Sequence, residues 1–180
     1  MKRIIILLIV AGLTLALAGC GIEPQTENSG FPDLLSFTAQ TLDGGEFTAA
    51  DFADADVTMI NIWSTTCSPC IKEMPELAEL CVSLPENVKL ITYCLDGEAD
   101  SQTAADILSD AGFSGVTLVS GDGDLEKLYK ELQYVPTTVF ADSSGHLHGE
   151  PLIGAPSDAL EYYKQAINEA LRSLGKDELE

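Results

Sequence analysis

The sequence predicts an α/β domain in which a central mixed β-sheet is flanked by helices and preceded by a β-hairpin. Three observations carry this. Strand-like and helix-like segments alternate from Val57 to Leu132, the signature of parallel βαβ units. Two later runs, Thr137 to Ala141 and His148 to Ile153, are separated by Asp142-Ser143-Ser144-Gly145, which has the chemistry of an antiparallel hairpin turn. Near the start, Leu42-Asp43-Gly44-Gly45-Glu46 punctuates short alternating segments between Phe31 and Thr48, and this is the leading hairpin.

Taken in order, Val57-Thr58-Met59-Ile60-Asn61-Ile62-Trp63 is β-rich and nearly all apolar, as a strand buried on both faces should be. A helix is expected from Ser68 to Leu84, with Ile71, Met74, Ala78 and Cys81 on one face at helical spacing. Pro75 cannot donate to the carbonyl of Ile71, so a kink is expected there and not a stop. Val88 to Leu95 reads as a second buried strand, Ser101 to Ala111 as a helix, Val116 to Val119 as a short strand and Asp124 to Leu132 as a helix. A final amphipathic helix is expected from Ser157 to Leu174.

The first residues are not fold. Met1-Lys2-Arg3 followed by an apolar run from Ile4 to Ala18 has the charged start and short apolar middle of a secretory signal. It is too short for a comfortable transmembrane helix, which needs about 20 apolar residues. This segment is therefore expected to be removed, a polar tether to follow it as far as residue 30, and residues 31–175 to form one domain. Without Lys2 and Arg3, seven basic residues face 29 acidic ones, a net charge of −22. Phosphate recognition needs clustered Lys and Arg, so nucleic acid is not expected as a partner. Charge of a single sign on this scale serves solubility, or favours basic, unfolded segments of other proteins.

The chemistry concentrates at Cys67-Ser68-Pro69-Cys70. Cys67 lies a three-residue turn beyond Trp63 and opens the next helix, where unpaired N–H groups and the positive end of the dipole favour a thiolate. A free cysteine has a pKa of about 8.5 and this placement lowers it, which makes Cys67 the expected nucleophile. Cys70, one turn further in, is placed to resolve a mixed disulfide. Half a zinc site is the competing reading, but zinc takes four ligands; Cys81 and Cys94 are spaced like core residues, and His146 and His148 fall in the late hairpin. A structural disulfide closing so small a loop would contribute little chain entropy. No metal is expected, and no cofactor beyond the Cys67–Cys70 disulfide itself.

Two resemblances sharpen this. Leu17-Ala18-Gly19-Cys20 resembles the bacterial lipobox, which implies cleavage before Cys20, lipidation of its sulfur and anchorage of the domain outside the cytoplasm. The resemblance makes residues 1–19 the signal and residues 20–30 the tether; ordinary cleavage near Ala18, which would leave Cys20 as a stray thiol, or an uncleaved anchor is the alternative. The segment from Asn61 to Pro75 and the segment Val135-Pro136-Thr137-Thr138-Val139-Phe140 resemble the active-site and cis-proline segments of the TlpA/ResA-like branch of the thioredoxin superfamily, and order and spacing agree from Phe31 to Leu174.

The second resemblance implies a thioredoxin fold and a protein-disulfide reductase. It implies Cys67 as nucleophile, Cys70 as resolving cysteine and Glu73 as the carboxylate tuning the thiols. Asn61 stands where cytoplasmic thioredoxins carry a buried Asp. Val135, cis-Pro136 and Thr137 would face the substrate, with Trp63, Ser68 and Pro69 completing the surroundings. Disulfide-containing exported proteins such as apocytochrome c would be substrates, and a membrane thiol carrier of the CcdA or DsbD type the electron donor. Thr66 departs from the bulky residue the family usually carries before the first cysteine.

Other classes fit less well. A thiol peroxidase needs a proline where Ile60 stands and an arginine beside its cysteine, and the mature chain has only Arg172, in the terminal helix. A copper-handling protein of the Sco type places three residues between its cysteines, against two here, and adds a histidine. Cys81 and Cys94 are expected at opposite ends of the domain as small buried side chains.

Overall fold

The computed structural model describes residues 30–179; the expected signal segment, Cys20 and most of the expected tether lie outside them. The elements are β1 (Thr38–Thr41), β2 (Glu46–Thr48), a 3-10 helix (Ala49–Asp54), β3 (Val57–Trp63), α1 (Ser68–Ser83), β4 (Val88–Cys94), α2 (Ser101–Ala111), β5 (Thr117–Gly121), α3 (Gly123–Glu131), β6 (Thr137–Asp142), β7 (Leu147–Ile153) and α4 (Ala159–Ser173). They build a seven-stranded sheet in the order β2-β1-β5-β4-β3-β6-β7. Strands β3, β4 and β5 run parallel, while β6 and β7 close one side and β1 and β2 the other, all antiparallel to their neighbours.

The alternation of strand side chains decides what each face of the sheet buries. On β3, Val57, Met59 and Trp63 join α1, α2 and α4 in one core, whereas Ile60 and Ile62 join α3 and a phenylalanine cluster in the other. Asn61 belongs by alternation to the first row and is fully buried there. In the second core, Phe52 of the 3-10 helix meets Phe37 and Phe47 at 5.7 and 5.6 Å between ring centroids, which ties the leading hairpin to the sheet.

Three details depart from the sequence reading. The 3-10 helix was not expected, because Ala49-Ala50-Asp51-Phe52-Ala53-Asp54 is too short to show an apolar repeat. Strand β5 extends to Gly121, since β1 supplies an antiparallel neighbour for its far end. The buried face of α1 is Cys70, Glu73, Met74, Leu77, Ala78 and Leu80, while Ile71 and Cys81 are only half-buried. The helix is rotated from the expected apolar stripe toward Leu77 and Leu80, which are fully buried, and Glu73 falls within that face. The helix continues through Pro75.

The late hairpin turns at Gly145, whose φ of +87° suits a residue without Cβ. A Cβ there would come within 2.4 Å of the Leu34 carbonyl oxygen. Packing also continues past the end of α4: Lys176 pairs with Asp56 at 2.6 Å, and the Leu179 N–H donates to Asn168 Oδ1 at 2.7 Å. Among the described residues no helix is long and apolar enough to cross a membrane.

Candidate active site

Cys67 caps the N-terminus of α1, and Pro69 sits in the first turn, where its missing N–H has no helical partner to lose. The Cys70 N–H donates to Cys67 Sγ at 3.3 Å. That bond stabilises a thiolate once the sulfur is reduced, as does the positive end of the helix. Cys67 and Cys70 form a disulfide. Cys67 is half-buried, and Cys70 is 0% exposed. An incoming thiolate or disulfide therefore reaches Cys67 first.

Opposite the pair, the Val135–Pro136 peptide is cis. The carbonyl oxygen of Val135 lies 3.6 Å from Cys67 Sγ. Thr137 is buried, and its hydroxyl donates to the Tyr134 carbonyl at 2.8 Å, while the Gly154 N–H donates to the Pro136 carbonyl at 2.8 Å. Thr137 thus shapes the loop and Val135 faces the sulfur. Ser68 and Pro69 are exposed at the helix start, whereas Trp63 is fully buried. Trp63 is a core residue beneath the site and offers no surface to a substrate.

Three residues after Cys70 on the buried face of α1, Glu73 enters a polar cluster that the sheet register creates. Asn61 on β3 is paired with Thr138 on β6. Asn61 Nδ2 donates to Thr138 Oγ1 at 3.1 Å and to Glu73 Oε1 at 3.0 Å. The Tyr163 hydroxyl, from α4, donates to Glu73 Oε2 at 3.2 Å and accepts from the Thr138 hydroxyl at 3.4 Å. Glu73 is 3% exposed. Its burial raises its pKa to about 7; the bonds from Asn61 and Tyr163 oppose the rise, and the charge of Glu76 adds to it. Asn61 Oδ1 is buried with no partner among the described residues. Rotating the Asn61 amide would turn that oxygen toward a protonated Glu73, so the cluster can accommodate either protonation state.

Asp96 was not singled out in the sequence. It follows β4, where Cys94 pairs with Trp63, and this places its carboxylate beside the turn entering α1. The carboxylate accepts from the Thr65 N–H at 2.9 Å, the Thr65 hydroxyl at 2.7 Å, the Ser64 hydroxyl at 2.9 Å and the Cys94 thiol at 3.3 Å. Partial burial would raise its pKa, but the bonds from Thr65, Ser64 and Cys94 outweigh this and hold it at about 2. A carboxylate so depressed stabilises the fold above its unfolded value near 3.8, and the stabilisation is lost as pH falls through about 2. Replacing Asp96→Asn is expected to cost about 2 kcal/mol at pH 7, read by urea unfolding, with the cost vanishing near pH 2.

The other sequence candidates lie apart. Cys81 and Cys94 are free thiols. Burial, followed by the neighbouring Asp96, pushes the Cys94 thiol up to about 12, which keeps it protonated and unreactive. His146 pairs with Asp33 and His148 with Asp142, in the late hairpin. Arg172 is bound to Glu178 near the end of α4. Among the described residues no three His, Cys, Asp or Glu side chains group as metal ligands.

A disulfide between one reachable and one enclosed sulfur, set at a helix N-terminus against a cis-proline loop, is the redox centre of a thioredoxin-fold thiol–disulfide oxidoreductase. The AhpC/TSA family model matches residues 31–149, and the chain belongs to that family. Thiol-disulfide oxidoreductase ResA of Bacillus cereus is 27% identical over 169 residues, spanning 92% of this chain and 94% of that protein. Sporulation thiol-disulfide oxidoreductase A of Bacillus subtilis is 24% identical over 113 residues, spanning 62% of this chain and 67% of that protein. The crystal structure of StoA from Bacillus subtilis superposes with a TM-score of 0.59 at 21% identity, covering 74% of this chain and 98% of that one. A DsbF homologue from Corynebacterium diphtheriae gives 0.61 at 18% identity, covering 77% and 85%. These structures share the fold.

Proposed function

We propose that the protein is an extracytoplasmic reductase of disulfides in exported proteins, apocytochrome c among them, held at the membrane by lipid on Cys20. The observation that carries the reading is Cys67 Sγ at the head of α1, facing the Val135 carbonyl, with Cys70 and Glu73 enclosed behind it. In the reduced protein the Cys67 thiolate attacks a substrate disulfide. One substrate sulfur leaves as thiolate and takes a proton, while the other stays bonded to Cys67. Cys70 gives its proton to ionised Glu73 and attacks Cys67, which releases the second substrate thiol and leaves the Cys67–Cys70 disulfide. Two electrons then return through a membrane thiol carrier of the CcdA or DsbD type.

Direction is tested by the reduction potential of the Cys67–Cys70 couple, measured by equilibration with glutathione or dithiothreitol. The expected value lies nearer the roughly −270 mV of thioredoxin than the roughly −120 mV of a strong periplasmic oxidant. A value near the latter would turn the proposal into an oxidase.

A further inference from the structure

Next to the reactive pair the surface is hollowed on the side of β4 and α3. Two adjoining depressions of about 410 and 320 Å³ share Leu95, Tyr129 and Lys130. The first reaches Tyr134 and Val135; the second runs along the ends of β4 and β5 to Asp96 and Glu98. Val135 touches Cys67 Sγ through its carbonyl, and Asp96 holds the turn that leads into Cys67. The groove is therefore lined, at Val135 and Asp96, by the two residues that contact Cys67 or the turn before it.

Its lining has a distinct chemistry. Tyr129 and Tyr134 are 47% and 64% exposed, large rings left in water beside a reactive centre. Asp96, Glu98 and Glu126 line the second hollow, and its one cation, Lys130, is paired with Glu126 at 2.8 Å. Asp96 is engaged by Thr65, Ser64 and Cys94 and Glu126 by Lys130, so Glu98 is the carboxylate left beside the aromatic faces, and together they attract a guanidinium or ammonium group. We infer that this groove binds an extended segment of the substrate protein bearing Arg or Lys within a few residues of its reactive cysteine, so that Tyr129, Tyr134 and Glu98 set substrate preference. The inference rests on the disulfide-reductase reading and goes beyond it by naming the chemistry of the segment recognised.

The test uses the reduced protein and two quenched fluorescent disulfide peptides that differ only in carrying Arg or Glu beside the cysteine. The Arg peptide is expected to react about tenfold faster at low ionic strength, with the ratio shrinking in 0.5 M salt as screening sets in. In a Glu98→Gln, Tyr129→Ala double variant the ratio should fall to within about twofold. In Ile153→Ala, on the opposite flank of the cis-proline loop, it should persist. Equal rates for the two peptides, or a ratio that survives the double variant and so reflects only the overall negative charge, would overturn the groove assignment. Hydroxyethyl disulfide separates the two layers: reduction of it without peptide discrimination removes the groove alone, whereas failure to reduce it removes the redox reading as well.

Discussion

A Cys70→Ser protein mixed with a disulfide substrate is expected to accumulate as a covalent complex linked through Cys67, whereas Cys67→Ser forms no complex and loses turnover by at least about 10³-fold. The asymmetry follows from burial. Cys67 is half-buried beside the Val135 carbonyl, and its sulfur accepts the Cys70 N–H, while Cys70 has no exposed surface. Attack from solvent can occur at one sulfur only. Without Cys70 the mixed disulfide has no thiol among the described residues to resolve it, because Cys94 is enclosed and held protonated beside Asp96 and Cys81 lies against the Leu90 carbonyl at 4.0 Å. Non-reducing electrophoresis followed by mass mapping reads the result directly. Complexes trapped through Cys70 in the Cys67→Ser protein would reverse the assigned order of attack.

How much of this site could be seen in the chain depends on the distance over which each contact acts. Cys67, Cys70 and the start of α1 are local features: two cysteines, a proline in the first turn and a preceding strand specify them within a dozen residues. The partners of Glu73 are not local. Thr138 meets Asn61 through the antiparallel register of β3 and β6, 77 positions apart in the chain, and Tyr163 meets Glu73 at a separation of 90. Periodicity assigns residues to faces but does not say which faces dock. Tyr162 and Tyr163 show this limit, since adjacent identical side chains end up 44% exposed and fully buried because α4 presents only one of them to β3 and α1. Hydrophobic spacing likewise favoured Ile71 and Cys81 on the inner face of α1, because it has no means of placing a carboxylate inside. Asp96 is one acid among 29, and only the pairing of Cys94 with Trp63 brings it to the turn before Cys67.

The buried carboxylate leads to the second large expected effect. Glu73 has a pKa of about 7 in the folded protein against 4.5 for an ordinary glutamate, chiefly because its charge is desolvated. Between those values the folded state holds a proton that the unfolded chain has released, so stability falls as pH rises through the window, by on the order of 3 kcal/mol. Glu73→Gln keeps the shape without the charge, and the unpartnered Asn61 Oδ1 can turn to accept from the new amide. Urea unfolding at pH 5 and pH 8 should therefore show the variant gaining about 3 kcal/mol relative to the parent on going to the higher pH. Turnover should move the opposite way. The parent's rate should rise through pH 7 as Glu73 ionises and becomes able to take the Cys70 proton, whereas the variant should be slower by about 10²-fold and lack that inflection. If the two proteins shared one pH–rate profile while differing in stability as expected, Glu73 would be a buried structural acid and the Cys70 proton would leave by another route.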